Sequence, residues 1–190
     1  EASDFTYVVE ATALDPGGRT VSGSAQITVT TGQFRLSFLP GESIVRPGAK
    51  PVLVVQAADY GGAPVQTSVE VVVQAKHVAA DGLVETVEVL RRKLDTDAKG
   101  LGKVEVDAKR GGYYQVKATA RDAANHELVA ETFVFASEGK GDLPFAPAGV
   151  EIITDKKSYF SGEKALVLLL APSPTADILF TVEGGALYRV

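Results

Sequence analysis

The chain has 190 residues, of which 45% are hydrophobic and 23% are charged, and its formal net charge is −5. This composition supports a hydrophobic core and excludes a disordered chain. Charges of both signs are interspersed, so nucleic acid and anionic membrane surfaces are poor partners. Because the chain has no Cys, disulfides, thiolate zinc sites and a cysteine nucleophile are excluded together.

The start of the chain and its apolar runs bear on targeting. The chain has no Met, and it begins with neither a positively charged n-region nor an apolar h-region. We therefore expect a segment from within a longer protein, and a missing signal peptide is then uninformative about secretion. The longest apolar run, residues 165–171, is far shorter than the roughly 20 residues of a membrane helix. We predict a buried strand there and no membrane insertion by this segment.

The first predicted elements are two strands, 5–14 and 20–30. In the second, small or apolar residues from Val21 to Val29 alternate strictly with Ser, Thr and Gln, which places one face on a core and the other in water. Asp15-Pro16-Gly17-Gly18 supplies the turn, because Pro presets φ and Gly accepts a positive φ. We predict the closing hairpin of a preceding β-sandwich domain.

Residues 34 to 136 leave room for a complete sandwich of about 100 residues. Turn signals rich in Gly and Asp separate short apolar runs, a pattern typical of an immunoglobulin-like fold. Gly112-x-Tyr114 suits a tyrosine corner, in which the ring packs inward and the hydroxyl meets nearby backbone; Tyr7 holds the same place in the hairpin. The predicted strands are 34–39, 51–59, 65–77, 83–94, 103–109, 113–121 and 128–136.

Two motifs occur twice. The alternating motif from Tyr7 to Asp15 recurs about 107 residues later, from Tyr114 to Asp122. Arg46-Pro47-Gly48, which leads into an apolar run, is echoed by Phe160-Ser161-Gly162. The first motif would close a β-domain and the second would open one, so the chain is predicted to be a segment of a tandem array of β-domains.

The predicted fold class is therefore all-β: tandem immunoglobulin- or fibronectin-III-like antiparallel β-sandwich domains, one complete and two partial. The predicted boundaries are 1–32 for the closing hairpin, 33–137 for the complete sandwich, 138–149 for a linker and 150–190 for the opening strands of a following domain. Strands are expected in that last segment at 150–154, 164–171 and 177–183, with another that starts at Ala186.

The two partial domains are complementary, since one carries closing strands and the other carries opening strands. A hairpin without its sheet is marginal and leaves edges unpaired. We therefore hypothesise that 1–32 and 150–190 pair into one composite sandwich, either within a chain or between swapped chains in a homodimer.

Candidate chemistry is sparse. Asp95-x-Asp97-x-x-Gly100 faintly resembles a calcium loop, but Lys99 and Val106 occupy positions that need oxygen ligands, so a plain turn is the favoured interpretation. His77 and His126 lie in unrelated contexts, and a zinc site needs at least three ligands. Gly-x-Ser-x-Gly is absent, and Gly61-Gly62 lacks the Lys of a phosphate loop. We predict no catalytic, cofactor-binding or metal-binding residue, no cofactor, and no enzymatic activity.

Three further patterns have a functional and a structural interpretation. Arg91-Arg92-Lys93 and Lys109-Arg110 are sites that a trypsin-like protease could cut, but a solvated basic edge that discourages sheet-to-sheet pairing is the simpler account. Tyr113-Tyr114 suggests a binding platform, but alternation along a strand sends one ring inward and one outward. Packing is therefore enough to explain the pair.

Taken together, the motifs resemble the macroglobulin-like domains of bacterial alpha-2-macroglobulins, upstream of the bait region. The resemblance covers essentially the whole chain and rests on the order and spacing of the motifs; Ser161 departs from it, since the family pattern usually has Pro before this Gly. The motifs are Phe5-x-Tyr7-x-Val9-x-Ala11 with Val21-Ser22-Gly23-Ser24, Pro47-Gly48, Thr96-Asp97-x-x-Gly100 with Gly112-Tyr113-Tyr114, Asp155-Lys156-x-x-Tyr159-x-x-Gly162-Glu163-x-Ala165, Ala171-Pro172-x-Pro174 and Leu179-x-Thr181-Val182-Glu183-Gly184.

The resemblance implies a broad-spectrum protease trap in the bacterial periplasm, at the cell surface or secreted. In that family a protease cuts an exposed bait segment, the domains rearrange, and a Cys–Gln thioester can couple to the protease. This chain has neither Cys nor the Gly-Cys-x-Glu-Gln motif and is expected to stop before a bait loop, so no functional residue is carried over. It would be scaffold, with neighbouring macroglobulin-like domains as partners and proteases as partners of the longer protein only.

Two other interpretations stay open. One is a tandem immunoglobulin-like adhesin or surface stalk, in which the downstream sequence would only repeat sandwiches. The other is a non-catalytic spacer of an extracellular enzyme such as a glycosidase, which would need a catalytic domain with paired carboxylates elsewhere.

Overall fold

A computed structural model describes residues 4–78, 83–137, 149–156, 158–171, 173, 177–183 and 187–189, and every regular element in these ranges is a strand. Within them no helix has the length and apolar character that crossing a bilayer requires. The strands are β1 (Phe5–Leu14), β2 (Thr20–Val29), β3 (Phe34–Phe38), β4 (Ile44–Val45), β5 (Val52–Asp59), β6 (Ser68–Val78), β7 (Val84–Asp95), β8 (Leu101–Glu105), β9 (Gly112–Arg121), β10 (Glu127–Ala136), β11 (Glu151–Thr154), β12 (Val167–Leu170), β13 (Val182–Glu183) and β14 (Leu187–Arg189).

Strands β3 to β10 form the central sandwich. One sheet has the order β4-β10-β9-β6-β7 and the other has the order β3-β5-β8. All of these pairs are antiparallel except β4 with β10, which is parallel. Buried side chains from both sheets form a single cluster, so this is the immunoglobulin-like β-sandwich that the strand pattern predicts.

Strict alternation builds the core of the central sandwich. Val116 on β9 and Val71 on β6 are fully buried, while their neighbours Lys117 and Glu70 on the other face are not. Small and β-branched residues suit the inward-facing positions, because two pleated sheets pack only about 10 Å apart. The buried residues of these two strands are Val69, Val71, Val73, Ala75, Tyr114, Val116, Ala118 and Ala120.

The hairpin of β1 and β2 is a displaced copy of the hairpin of β9 and β10. Every bound of β1 and β2 lies 107 residues before the matching bound of β9 and β10. The pairing also corresponds: Tyr7 lies opposite Ile27, and Tyr114 lies opposite Val134. The sequence echo is therefore a structural repeat of the closing hairpin.

The pair β11–β12 repeats the pair β3–β5 in the same way, with a displacement of 114 residues. Ile152 lies opposite Leu169, as Phe38 lies opposite Val55. The loop before the second strand is also shared, since Gly48 (φ 87°) and Gly162 (φ 89°) both have a positive φ. In both loops a backbone bond closes the turn, from Ala49 N to Arg46 O and from Glu163 N to Phe160 O.

Four turns between consecutive strands share one hydrogen-bonding scheme. Each begins with an Asp whose Oδ1 accepts the N–H of the residue four positions on, at 2.7–3.0 Å. The residue three positions on donates its N–H to the carbonyl of the Asp and has a positive φ. That conformation favours Gly or Asn. The four turns start at Asp15, Asp59, Asp97 and Asp122, and their positive-φ residues are Gly18, Gly62, Gly100 and Asn125.

The predicted strands are confirmed to within three residues in β1, β2, β3, β5, β6, β7, β9, β10, β11 and β12. Two strand predictions are wrong in extent: β8 runs from Leu101 to Glu105 instead of 103–109, and of 177–183 only Val182–Glu183 is strand. The strand β4 was not predicted, because two residues carry no alternation. The sequence also predicts turns at Ala80-Asp81-Gly82 and Gly184-Gly185, and these, with most of the predicted linker, lie outside the described residues.

Candidate functional site at the module junctions

The calcium-like loop at Asp97 is a turn. Its carboxylate accepts the N–H groups of Leu101 (3.0 Å) and Lys99 (2.8 Å), and these bonds, with that of Leu101 the stronger influence, hold the pKa of Asp97 below its usual value. The oxygens are thus engaged by backbone donors. Across the described ranges no three His, Asp or Glu side chains come close enough to hold a metal ion.

The two histidines lie apart. His77 belongs to β6, where its backbone pairs with Glu85 of β7, and its side chain lies outside what the structure describes. His126 follows the β9–β10 turn, and its Nδ1 lies 2.9 Å from Oδ2 of Asp122. His126 is half exposed, whereas the side chain of Asp122 has no exposed surface.

The basic runs have structural surroundings. Arg91 lies within β7 and binds Glu88 at 2.7 Å and Glu70 at 2.8 Å, which fixes it on the outer face of the sheet beside its neighbour strand. Lys109 and Arg110 precede β9 and line an open groove of about 400 Å³ that Val87 and Val89 also line. Carboxylates therefore pair with both basic runs, since Lys109 also lies 3.5 Å from Asp107.

The two adjacent tyrosines divide as alternation predicts. Tyr114 is buried, and its hydroxyl accepts the N–H of Arg110 (3.1 Å) and donates to the carbonyl of Arg110 (2.9 Å). This confirms the tyrosine corner. Tyr113 points to the other side and stacks on Phe133, with ring centroids 5.4 Å apart, so both rings pack.

Asp4 joins the first hairpin to the central sandwich. One of its carboxylate oxygens accepts the N–H of Thr31 at 2.8 Å. The hydroxyl of Tyr60, on the β5–β6 turn, lies within 3.1 Å of both oxygens. The bond from Thr31, with help from that of Tyr60, holds the pKa of Asp4 below its usual value. One carboxylate therefore closes the base of the hairpin and attaches it to the next module.

Asp122 makes a second connection at the same junction. Besides capping its own turn, its Oδ2 accepts the N–H of Gln33 at 3.0 Å. Gly32, just before, approaches so closely that a Cβ would lie 2.5 Å from Leu128 Cδ2. The chain thus enters β3 in close contact with the β9–β10 turn.

The third segment meets the central sandwich at the opposite junction. The N–H of Ser43 donates to the carbonyl of Asp155 (3.4 Å), while the carbonyl of Ser43 accepts the N–H of Phe135 (2.7 Å). Asp155 also organises its own loop, because its Oδ1 accepts the Tyr159 hydroxyl (2.6 Å) and the Leu166 N–H (2.8 Å). The Asp-Lys-x-x-Tyr motif is therefore a loop brace at a module boundary.

The loop of the third segment offers a stabilising substitution. Ser161 occupies the position where the equivalent loop has Pro47, and Gly162 has the positive φ that follows Pro in a type II turn. We expect Ser161→Pro to stabilise this loop by about 0.4–1 kcal/mol, because Pro restricts the unfolded chain. Hydrogen exchange at the Asp155 N–H, which bonds Leu166 O, should slow by about 2- to 5-fold. Pro47→Ser is the reverse control and should weaken the central sandwich; faster exchange in Ser161→Pro would contradict the shared turn.

Acid should weaken the Asp122 junction. Burial by itself raises the pKa of Asp122, but hydrogen bonds with the His126 ring and the N–H groups of His126 and Gln33 outweigh it and lower the pKa from 3.8 to about 2. Since the folded pKa is the lower one, the carboxylate stabilises the fold fully above 3.8, and this stability is lost as the pH falls toward about 2.

The measurement is thermal unfolding of the unmodified chain and Asp122→Asn, from about pH 6 to about pH 2. We expect the variant to melt at a lower temperature at the upper pH, and the difference to vanish at the lower one. Asp95→Asn, at an exposed carboxylate on β7, is the control and should show no such trend. A difference for Asp122→Asn that stays constant across the range would contradict the assignment.

Sequence reasoning did not single out the junction residues. Asp4, Tyr60 and Gln33 act through contacts between residues 27 to 89 positions apart, and no local pattern marks such pairs. A usable signal existed for Asp122, because the spacing Asp-x-x-Gly or Asp-x-x-Asn occurs at all four capped turns. That spacing predicts a carboxylate committed to backbone donors.

No protein-family model matches the chain. The chain is 33% identical over 90 residues to an alpha-2-macroglobulin of Ralstonia nicotianae (strain ATCC BAA-1114 / GMI1000), a match that covers 47% of this chain and 5% of that protein. The crystal structure of Salmonella alpha-2-macroglobulin reacted with methylamine aligns with a TM-score of 0.48 and 16% identity, over 89% of this chain and 12% of that one. The chain therefore spans a small part of the length of either protein.

Proposed function

We propose, from the relationship of this chain to the bacterial alpha-2-macroglobulins, that it is a scaffold segment of a broad-spectrum protease inhibitor. The observation that carries the proposal is the 33% identity over 90 residues to a protein of that name. The repeat supports it, since a closing hairpin, a complete sandwich and an opening strand pair follow one another in one chain. Proteases are then partners of the longer protein, and adjoining sandwich modules are partners of this segment.

The role proposed for this segment is to hold neighbouring modules in a fixed relative orientation. Asp4 and Tyr60 attach the first hairpin to the central sandwich, and Ser43 and Asp155 attach the third segment. Such contacts have definite directions and lengths, so each module holds its neighbour at a set angle. In a protein that changes shape when a protease cuts it, these junctions would fix the shape before the cut.

The experiment uses the longer protein that contains this chain. It is incubated with trypsin, and the mixture is assayed on a large protein substrate and on a small peptide substrate. We expect activity on the large substrate to fall while activity on the small one remains, because a caged protease still admits small molecules. Undiminished activity on both substrates would overturn the proposal and favour a surface stalk.

A variant pair tests the role of the junction itself. Asp4→Asn in the longer protein should leave its folding intact but lower the fraction of trypsin that is caged, because the bond with Tyr60 weakens. Asp95→Asn, on the exposed side of β7, is the matched control and should cage as much trypsin as the unmodified protein. Equal caging by both variants would show that the contact between Asp4 and Tyr60 has no part in trapping the protease.

We also propose that the longer protein acts outside the cytoplasm, in the periplasm or at the cell surface, where foreign proteases arrive. Fractionation of the bacterium with an antibody against residues 33–137 tests this. Recovery of the protein with the cytoplasmic fraction would contradict it.

A further inference from the structure

Few loop bonds of the central sandwich suit a trypsin-like protease, which cuts after Lys or Arg because an Asp in its pocket pairs with the basic side chain. Between the strands from β3 to β10, the basic residues are Arg46, Lys50, Lys99, Lys109 and Arg110. Pro47 and Pro51 follow the first two, and a proline at that position hinders cleavage because its ring fixes φ. Lys99 lies within the tight turn that Asp97 caps. The remaining candidates are the two bonds on either side of Arg110.

The basic side chains of this loop, which joins β8 to β9, point into solvent. The side chain of Lys109 is 79% exposed, and Arg110 is exposed as well. Both line the open groove of about 400 Å³ beside Val87 and Val89. A protease can therefore reach the two side chains that it would recognise.

The backbone of the same loop is held on both sides of these residues. Ala108 N donates to the carbonyl of Ala49 (3.1 Å), and the carbonyl of Ala108 accepts the N–H of Gly48 (2.7 Å). On the other side, Gly112 lies opposite Ala136 in the ladder of β9 and β10. Only the short stretch between Ala108 and Gly112 lies outside these pairings, and this stretch contains both candidate bonds.

A single hydroxyl engages both candidate bonds. The Arg110 N–H, which belongs to the Lys109–Arg110 bond, donates to the Tyr114 hydroxyl at 3.1 Å. The Arg110 carbonyl, which belongs to the Arg110–Gly111 bond, accepts from the same hydroxyl at 2.9 Å. Because Tyr114 is buried, these two backbone groups are turned toward the interior of the sandwich.

This arrangement opposes the chemistry of a serine protease. The enzyme binds the oxygen of the attacked carbonyl in an oxyanion hole, and its His gives a proton to the leaving nitrogen. For cleavage after Arg110 the carbonyl oxygen must leave the Tyr114 hydroxyl and point outward. For cleavage after Lys109 the Arg110 nitrogen must do the same.

We propose that Lys109-Arg110-Gly111 is a latent cleavage site for trypsin-like proteases, and that the Tyr114 hydroxyl keeps it uncut while the sandwich is folded. When the hydroxyl releases Arg110, the loop turns its carbonyl outward and enters the active site of the protease. The C–N bond between Arg110 and Gly111 then breaks, and water supplies a hydroxyl group to the Arg110 carbonyl carbon and a proton to the Gly111 nitrogen. The site lies inside the complete sandwich, so its closure does not depend on the proposed inhibitor function.

The first test is digestion of the chain with trypsin, followed by mass spectrometry of the fragments under denaturing conditions. We expect Tyr114→Phe to be cut after Lys109 or Arg110 at least about 10-fold faster than the unmodified chain, because the ring still packs but no hydroxyl holds Arg110. Addition of Lys109→Gln and Arg110→Gln to Tyr114→Phe should abolish these cuts, because Gln has no charge to pair with the Asp of the protease pocket. Circular dichroism before digestion shows whether each variant is folded.

Gly100→Ala is the control for unfolding of the whole sandwich. Gly100 lies before the other end of β8, and a Cβ there would lie against the carbonyl of Ala57, so the variant loses stability but keeps the bonds between Tyr114 and Arg110. Cleavage through unfolding follows the population of the unfolded chain, in which every Lys and Arg is accessible. We therefore expect Gly100→Ala to show no preference for cuts after Lys109 and Arg110.

Hydrogen exchange provides a second measurement, which needs no substitution. In the unmodified chain the Arg110 N–H should exchange at least about 10-fold more slowly than an unprotected amide, because the Tyr114 hydroxyl accepts it.

Three results would overturn the proposal. The first is cleavage after Lys109 and Arg110 at equal rates in Tyr114→Phe and in the unmodified chain. The second is the same selective cleavage in Gly100→Ala as in Tyr114→Phe, which would mean that the site opens with the whole sandwich. The third is an Arg110 amide that exchanges as fast as an unprotected one.

Discussion

Gly100→Ala is expected to lower the free energy of unfolding of the central sandwich by about 2–5 kcal/mol. Gly100 has φ 73°, and a Cβ there would lie directly against the carbonyl oxygen of Ala57 and at 3.2 Å from Pro64 Cβ. The left-handed conformation costs an L-residue about 1–2 kcal/mol, and overpacking costs a further 1–3 kcal/mol or so. The Ala57 carbonyl cannot move aside cheaply, because Val65 N also bonds to it.

The measurement is urea unfolding followed by far-UV circular dichroism. Gly62→Ala is the matched control: Gly62 has φ 89° in the same type of Asp-capped turn, but nothing lies within 4 Å of its Cβ position. The free energy of unfolding of that variant should fall only by the conformational cost of about 1–2 kcal/mol. Equal losses in the two variants would show that the close approach to Ala57 is unimportant.

Tyr114→Phe is the second large effect, an expected loss of about 1–3 kcal/mol. The variant keeps the ring but removes a hydroxyl that both accepts from and donates to the backbone of Arg110. Because Tyr114 is only 4% exposed, water does not readily replace the missing bonds.

The repeat provides the control for this substitution. Tyr7 occupies the position of Tyr114 in the first hairpin but is 57% exposed. Tyr7→Phe should change the unfolding free energy by no more than about 0.5 kcal/mol, the usual range for surface sites. Both variants are measured by urea unfolding at one protein concentration, and a loss in Tyr7→Phe as large as in Tyr114→Phe would contradict the assigned corner.

Most of the fold could be predicted from the alternation of apolar and polar residues along the strands. Strand β9 is buried at Tyr114, Val116, Ala118 and Ala120 because every second residue is apolar or small, and such a pattern fits one face of a sheet. The tyrosine corner was likewise predictable, since Gly-x-Tyr at the start of a strand is a local feature. The repeats at 107 and 114 residues were visible as motifs before any register was known.

The errors have physical causes. The strand predicted at 103–109 started too late, since Gly102 lies within β8, where the side chains of Leu94 and Val55 occupy the space that a Cβ would take. Glycine in a strand can mark such a close approach, which depends on residues distant in sequence. The junctions were not predicted for the same reason: Asp4 and Tyr60 meet only after the strands between them have folded.

The attachment of neighbouring segments at opposite ends of β10 has a mechanical consequence. A pull that separates the neighbours acts along β10, while its hydrogen bonds to β9 run across the strands. The ten residue pairs of this ladder, from Glu127–Arg121 to Ala136–Gly112, are then loaded in shear and share the force. The central sandwich therefore resists a pull along β10 far better than it would resist the peeling of a strand from the edge of its sheet.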